Sequence, residues 1–178
     1  HRVFECYGEL RVLCAHRSGI SGVSGINRLI EQQLIKTGQI PAGVSWYPGR
    51  PVIILSNDYR LGLFNGDMGI ALVDPDRPAQ LAVYFPQPSG AYRTVWAGRL
   101  PAHDTVYAMT VHKSQGSEFG RSVLVLPERP SPVLSRELVY TALSRAVHSL
   151  EIWGSQDMLS LAVSQQARRK SGLQHRLQ

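Results

Sequence analysis

Apolar positions along the chain change their period twice. "LRVLCA" (10–15) is a short unbroken apolar run, the pattern of a strand covered on both faces, as in a parallel sheet. It gives way to "HRSGISGVSG", whose Ser and Gly content predicts a loop. "INRLIEQQLIKTG" then sets Ile26, Leu29, Ile30 and Leu34 on one helical face, with Ser24 as the expected cap and Gly38 as the stop. Strand, loop and helix in that order make the first half of an α/β unit.

Between Trp46 and Leu100 the period shortens. "RPVIILSND", "LGLFNGDMGIALVD", "QLAVYF" and "YRTVWAGRL" are β-type runs split by Asn, Gly, Asp and Pro. Asn65-Gly66 predicts a type I′ turn, and no stretch of useful length carries helical period. A small antiparallel barrel or curled sheet of roughly four or five strands is expected. After Pro101 the first texture returns. "TVYAMT" and "SVLVLP" read as strands and "SRELVYTALSRAV" (135–147) as a helix, with Leu138, Val139, Ala142, Leu143 and Ala146 on one arc. "SLEIWG" reads as a closing strand and "QDMLSLAVSQQARRK" as a last helix. The predicted fold is therefore α/β: a parallel-sheet domain built from residues 1–45 and 101–178, interrupted by a β insertion at 46–100.

Composition narrows the class. The 178 residues suffice for one domain of ordinary size, or one with a small insertion, and 43% apolar with 18% charged content excludes a disordered or coiled chain. A net charge of +6 and a pI near 9.7 fit an anionic partner such as nucleic acid or nucleotide, and fit equally a basic soluble surface. Cys6 and Cys14 lack metal spacing and read as reduced thiols of an intracellular protein. No apolar run approaches the ~20 residues a bilayer requires, so no membrane contact is expected. The opening "HRVFECYGEL" reads as the middle of a longer protein.

Candidate chemistry concentrates in the polar knot His112-Lys113-Ser114-Gln115-Gly116-Ser117-Glu118, between two strand-like runs. Ligands of open α/β sheets sit outside the carboxyl ends of the strands. Gly116 lets a backbone approach a ligand closely, and N–H groups entering a helix favour phosphate. Lys113, Ser114 and Gln115 supply donors, and Glu118 can accept from a sugar hydroxyl. The same segment is compatible with an ordinary solvated loop. Arg145 falls at the edge of its helix's apolar arc, one turn after Thr141, where a planar cationic fork can reach a phosphate or simply snorkel to solvent. Arg17, just past the first strand, is expected at the same edge of the sheet as the knot. In the insertion, Asn57, Asp58, Tyr59, Phe64, Asn65 and Tyr92 interleave with Arg60, Arg93 and Arg99, a composition suited to stacking on unpaired bases and equally to a barrel core with a basic face. The sequence carries no G-x-x-x-x-G-K-[ST], and no acidic dyad after an apolar strand to hold magnesium. Zinc spacing, a nucleophile elbow and a dinucleotide fingerprint are also missing. On the ligand-binding reading, these residues would make half of a nucleotide site, without its phosphate cradle.

"NDYRLGLFNGDMGIAL", "AMTVHKSQGSEF" and "ELVYTALSRA" together resemble the C-terminal motifs of the RecD subunits of exodeoxyribonuclease V, which are superfamily 1B DNA helicases. The resemblance runs from "LRVLCAHRSG" to "ARRKSGL". It implies a second RecA-like motor domain, a P-loop-NTPase-type parallel sheet with an inserted SH3-like β-barrel. ATP and Mg2+ would bind the full-length protein between this domain and a preceding RecA-like one, and the fragment alone would bind neither and be inactive. By the same resemblance Arg145 contacts the γ-phosphate with Arg17 as its partner, and Gln115, Gly116 and Glu118 line the nucleotide. Thr110, His112, Ser114 and Thr141 face single-stranded DNA, joined by Asn57, Tyr59 and Asn65 of the insertion. Implied partners are single-stranded DNA, the preceding domain and RecB- and RecC-like subunits. The resemblance further implies a bacterial cytoplasmic setting, with 5′-to-3′ movement in DNA repair and recombination. "RAVHSL" after Arg145 is less basic than the family leads one to expect. The motor reading makes one demand on the structure: the Arg145 guanidinium must lie outside the core, toward the strand tips. Alternatives are a non-catalytic module that binds single-stranded DNA, or the same motor in a conjugative relaxase-helicase or stand-alone RecD-like helicase.

Overall fold

Two sheets of opposite character make up the computed structural model, which describes residues 1–167. The first is parallel. Strands β1 (Leu10–Cys14), β7 (Ala108–Thr110), β8 (Phe119–Val125) and β9 (Ala146–Trp153) lie in the order β7-β1-β8-β9, and every pairing is parallel. Alternation along the strands sends side chains to opposite faces. Leu13, Met109 and Leu124 pack with Leu138 and Val139 of α3 (Arg136–Leu143) and with Leu161 and Ala162 of α4 (Gln156–Ser164). Cys14, Ala108, Val123 and Val125 pack on the other face with Val23 and Ile26 of α2 (Val23–Lys36). Ser135 and Ser155 cap α3 and α4, accepting from the N–H groups of Leu138 and Met158.

The second sheet is antiparallel. It contains β2 (Pro51–Ile54), β3 (Met68–Asp74), β4 (Arg77–Pro86), β5 (Tyr92–Trp96) and β6 (His103–Thr105), in the order β5-β4-β3-β2-β6. Its own core is Val52, Ile54, Leu63, Val83, Phe85 and Val95. Ile53 points the other way and joins Leu55 and Met68 in the core of the parallel unit, so the two sheets share a packed boundary. Because β6 pairs with β2, the antiparallel unit extends past the expected limit at residue 100. Only Val106 and Tyr107 separate β6 from β7.

Several expectations need correction. Helix α1 (Arg2–Glu9) was not anticipated; it docks through Phe4, stacked on Tyr92 at 5.1 Å, and through Tyr7. Helix α2 starts at Val23 after Gly22, so Ser24 lies inside the first turn and caps nothing. Of its apolar arc, Leu29 is 51% exposed, and the residue that α2 buries is Asn27. Asn65 keeps a negative φ while Gly66 takes +101°, and Asp67 N–H bonds to the Phe64 carbonyl. Positive φ at the third position alone is the pattern of a type II turn, not type I′. Helix α3 stops at Leu143, because Ala146 and Val147 are drawn into β9. Helix α4 ends at Ser164, and the expected continuation through residues 168–170 lies outside the described residues. No helix among the described residues is long and apolar enough to cross a membrane.

Candidate functional site

The polar knot is a crossover. Strands β7 and β8 flank β1 and both run parallel to it. The chain therefore leaves β7 at the carboxyl rim and must enter β8 at the amino rim. From Phe119 to Val125 that distance is about 20 Å at ~3.3 Å per residue. Residues 111–118 cover it with a 3-10 turn, Val111–Ser114, capped by Thr110 Oγ1 accepting from Lys113 N–H at 3.3 Å. Gly116 follows with φ +85°, and an added Cβ there would meet nothing. Glycine is thus required by the turn of the backbone, and the space beside it is open. The knot leads into a strand, so the helix N-terminus invoked for phosphate does not form.

This crossover sorts the candidate residues between two rims. At the carboxyl rim Thr110 is half-buried, and His112 and Lys113 are exposed. Arg17 lies there too, with its side chain 70% exposed and 3.9 Å from the Asp104 carboxylate. Asp104 and Arg17 also line a small cleft shared with Thr110 and Lys113. At the amino rim stand Ser117, Glu118 and Arg145. Arg145 occupies the short joint between α3 and β9, its carbonyl accepting from Phe119 N–H at 2.8 Å. Its Nη1 donates to the Ser117 carbonyl at 3.0 Å and its Nη2 to Ser144 Oγ at 3.0 Å. The Nε is buried without a partner, and no carboxylate among the described residues forms an ion pair with this guanidinium. The half-buried charge is uncompensated and lies against a segment, residues 115–118, whose Gln115, Gly116 and Glu118 are exposed. That combination is receptive to an anion.

Four placements depart from the sequence reading. The Arg145 guanidinium is outside the fully buried core, as required, but at the amino ends of the strands, not their carboxyl tips, so the placement half of that demand fails and a motor reading must put the nucleotide at the amino rim. The residue just before a parallel strand can be nowhere else. Arg17 follows the carboxyl end of β1, so the length of the sheet separates it from Arg145, and the two cannot grip one phosphate. Ser114 is fully buried and its hydroxyl donates to the Val111 carbonyl at 2.7 Å, so it presents nothing to DNA. Thr141 sits one turn before Arg145 and its hydroxyl donates to the Glu137 carbonyl at 2.7 Å, so it is used within its own helix.

The insertion offers a rigid polar loop. Asn57 Oδ1 accepts from Asn65 N–H at 2.8 Å, and Asp58 Oδ1 from the N–H groups of Arg60 and Leu61. Asp67 Oδ2 accepts from Phe64 N–H at 2.8 Å, and Arg93 donates to the Leu61 and Gly62 carbonyls. This bracing holds Tyr59, 79% exposed, edge-on to Phe64 with ring centroids 6.0 Å apart. Two structural residues were missed. Arg11 interrupts the apolar run "LRVLC" and Asn27 interrupts the arc of α2; a polar residue inside an apolar pattern was the available signal.

Residues 105–152 match the family model for the UvrD-like helicase C-terminal domain. The RecBCD enzyme subunit RecD of Mycobacterium tuberculosis is 42% identical over 96% of this chain, and that of Haemophilus influenzae 38% over 94%. The ATP-dependent RecD2 DNA helicase of Deinococcus radiodurans is 36% identical over 89%. The chain spans 29%, 25% and 22% of the lengths of these three relatives. Among solved structures, a Bacteroides Pif1 helicase in complex with ADP-AlF3 and ssDNA superposes with a TM-score of 0.52 at 17% identity, covering 96% of this chain and 44% of that one. Pif1 helicase from Candida albicans gives 0.53 at 17%, covering 86% and 48%; these two likenesses concern the fold. By sequence across nearly its whole length, the chain is homologous to part of the RecD subunits of the RecBCD enzyme.

Proposed function

We propose that this chain is the second motor half of an ATP-dependent DNA helicase, with a nucleotide-facing amino rim and a DNA-facing carboxyl rim joined by the knot. The observation that carries the reading is the crossover at residues 111–118. It leaves exposed His112 at one end of the sheet and delivers Ser117 and Glu118 to Arg145 at the other.

Arg145 approaches the γ-phosphate of ATP held by a preceding RecA-like domain, while Gln115, Gly116 and Glu118 line the nucleotide. An arginine donated across such a cleft stabilises charge on the transferring phosphoryl group and is worth ~10³–10⁵ in rate. Thr110, His112 and Lys113 face single-stranded DNA, and Arg17 is assigned to the same strand's phosphates rather than to ATP. Asn57 and Asn65 brace the insertion loop, whose Tyr59 and Phe64 rings offer faces for unpaired bases; the insertion is read as an SH3-like module. Mg2+ is assigned, with the phosphates it would bridge, to the other domain. RecB- and RecC-like subunits as partners, a bacterial cytoplasmic setting and 5′-to-3′ movement complete the proposal.

The test is Arg145→Ala in a helicase of RecD length carrying this chain, with nucleotide titration beside turnover. DNA-stimulated hydrolysis is expected to fall ~10³-fold or more while ATP still binds. Retained turnover overturns the assignment.

A further inference from the structure

Arg11 lies in the middle of β1 with 1% of its surface exposed. Its Nη1 donates to the Val106 carbonyl at 2.9 Å and its Nη2 to the Tyr7 carbonyl at 3.3 Å, and Nε has no partner. The guanidinium carbon is 3.7 Å from the centroid of the Tyr7 ring and 4.8 Å from that of Phe119. No carboxylate among the described residues pairs with it. Burial pulls its pKa below the ordinary arginine value, and the nearby Tyr7 opposes that shift. A buried charge without a counter-charge costs several kcal/mol, and an apolar side chain of similar volume would fill the site with less penalty. Packing alone gives no reason for an arginine here.

Its contacts give one. Val106 lies in the two-residue link by which the insertion returns to the parallel sheet. Val106 N–H donates to the carbonyl of Pro51, the first residue of β2, at 3.0 Å, and its carbonyl accepts from Arg11 and from the Tyr7 hydroxyl. On the other side of the guanidinium, Phe119 donates its N–H to the Arg145 carbonyl. Insertion, Val106, Arg11, Phe119 and Arg145 are thus successive contacts from the DNA-facing unit to the amino rim. Asn27 clasps the same link from the opposite face, bonding the Thr105 carbonyl at 2.9 Å and Ala108 N–H at 2.8 Å. Its hydrogen bonds among the described residues do not involve Phe119, which packs in the core on the other face.

We propose that Arg11 is a positioning residue that ties the insertion to Arg145, so that DNA seated on the insertion adjusts how that arginine meets the nucleotide. The coupling rests on the function proposed above; the tie itself does not. Amide hydrogen exchange on the 178-residue chain tests the tie in Arg11→Lys and Arg11→Met. Lysine keeps the charge but lacks the planar fork that reaches two carbonyls and stacks on two rings. Exchange at Val106 and Phe119 is expected to accelerate about tenfold or more, with Ala71 in the antiparallel core at its wild-type rate. Unchanged exchange at Phe119, or equal acceleration at Ala71, overturns the proposal.

Hydrolysis by a helicase of RecD length tests the coupling. Arg11→Lys is expected to lower the ratio of DNA-stimulated to DNA-free turnover about fivefold or more, with DNA-free turnover and KM for ATP nearly unchanged. Asn27→Ala, which loosens the link without touching Phe119, leaves the ratio as it was. An unaltered ratio in Arg11→Lys, or an equal fall in Asn27→Ala, refutes the coupling. Absence of DNA-stimulated turnover in the wild type counts against the proposed function instead, and the exchange result alone then decides the tie.

Discussion

Asn27→Leu probes the junction between the two sheets most cleanly. Strand β7 is an edge strand, so the outward N–H of Ala108 has no neighbouring strand to bond, and Asn27 Oδ1 takes it at 2.8 Å. The amide nitrogen of the same side chain donates to the Thr105 carbonyl at 2.9 Å. Leucine is nearly isosteric and removes both partners. Ala108 is fully buried and Asn27 itself 8% exposed, so little water can reach the Ala108 N–H, whereas the half-buried Thr105 carbonyl puts its share at the low end of the range. At ~1–3 kcal/mol for each orphaned buried group, the gross loss is about 2–6 kcal/mol. Burial of the leucine methyl groups offsets roughly 1–2 kcal/mol of this, leaving a net loss of up to about 5 kcal/mol and centred near ~2 kcal/mol, a sizeable share of the 5–15 kcal/mol typical of a domain. Urea unfolding of the wild type and variant at pH 7 measures it as a lower midpoint with an unchanged slope. A net loss below about 0.5 kcal/mol would show that the clasp contributes little and that the boundary rests on apolar packing alone.

Gly116→Ala should cost about 1–2 kcal/mol of stability in the same assay, since φ +85° strains any residue with a Cβ although no neighbour would be touched; a neutral result contradicts the turn geometry. Iodoacetamide should alkylate exposed Cys6 in the native chain and spare Cys14, whose thiol burial pushes up to about 12. The folded chain therefore keeps a proton that the unfolded chain loses above the ordinary value of 9.0. This contribution to stability is intact below that pH and falls by about 1.4 kcal/mol per unit as pH rises toward 12. Cys14→Ala lacks this component, and equal slopes for wild type and variant between about pH 9 and 11 would rule it out.

Period and punctuation in the sequence were enough to locate the strands of the parallel sheet, the switch to short antiparallel strands after Trp46 and the helix before β9. They failed where tertiary pairing overrides local pattern. "SRELVYTALSRAV" keeps helical period to Val147, yet pairing with β8 claims Ala146 onward for β9. Arg145 is thereby moved from a helix face into a joint at the amino rim. The knot's residues were legible as polar and ligand-like, but not their path. Whether a short segment crosses a sheet depends on strand order, and β1 between β7 and β8 is a long-range fact absent from local sequence. Ser114 shows the same limit on a smaller scale: a hydroxyl read as a donor to DNA is used inside its own 3-10 turn. Helix α1 lacked a cap signal and is held by tertiary contacts such as the Phe4 stack on Tyr92.

Ligand-dependent hydrogen exchange in a helicase of RecD length tests the division of the sheet into two rims most directly. A non-hydrolysable ATP analogue is expected to slow exchange at residues 115–119 and 144–146, and an oligo-dT strand at residues 110–113 and in the loop around Arg17. Protection of the same rim by both ligands, or none at the amino rim with the analogue bound, would contradict the account.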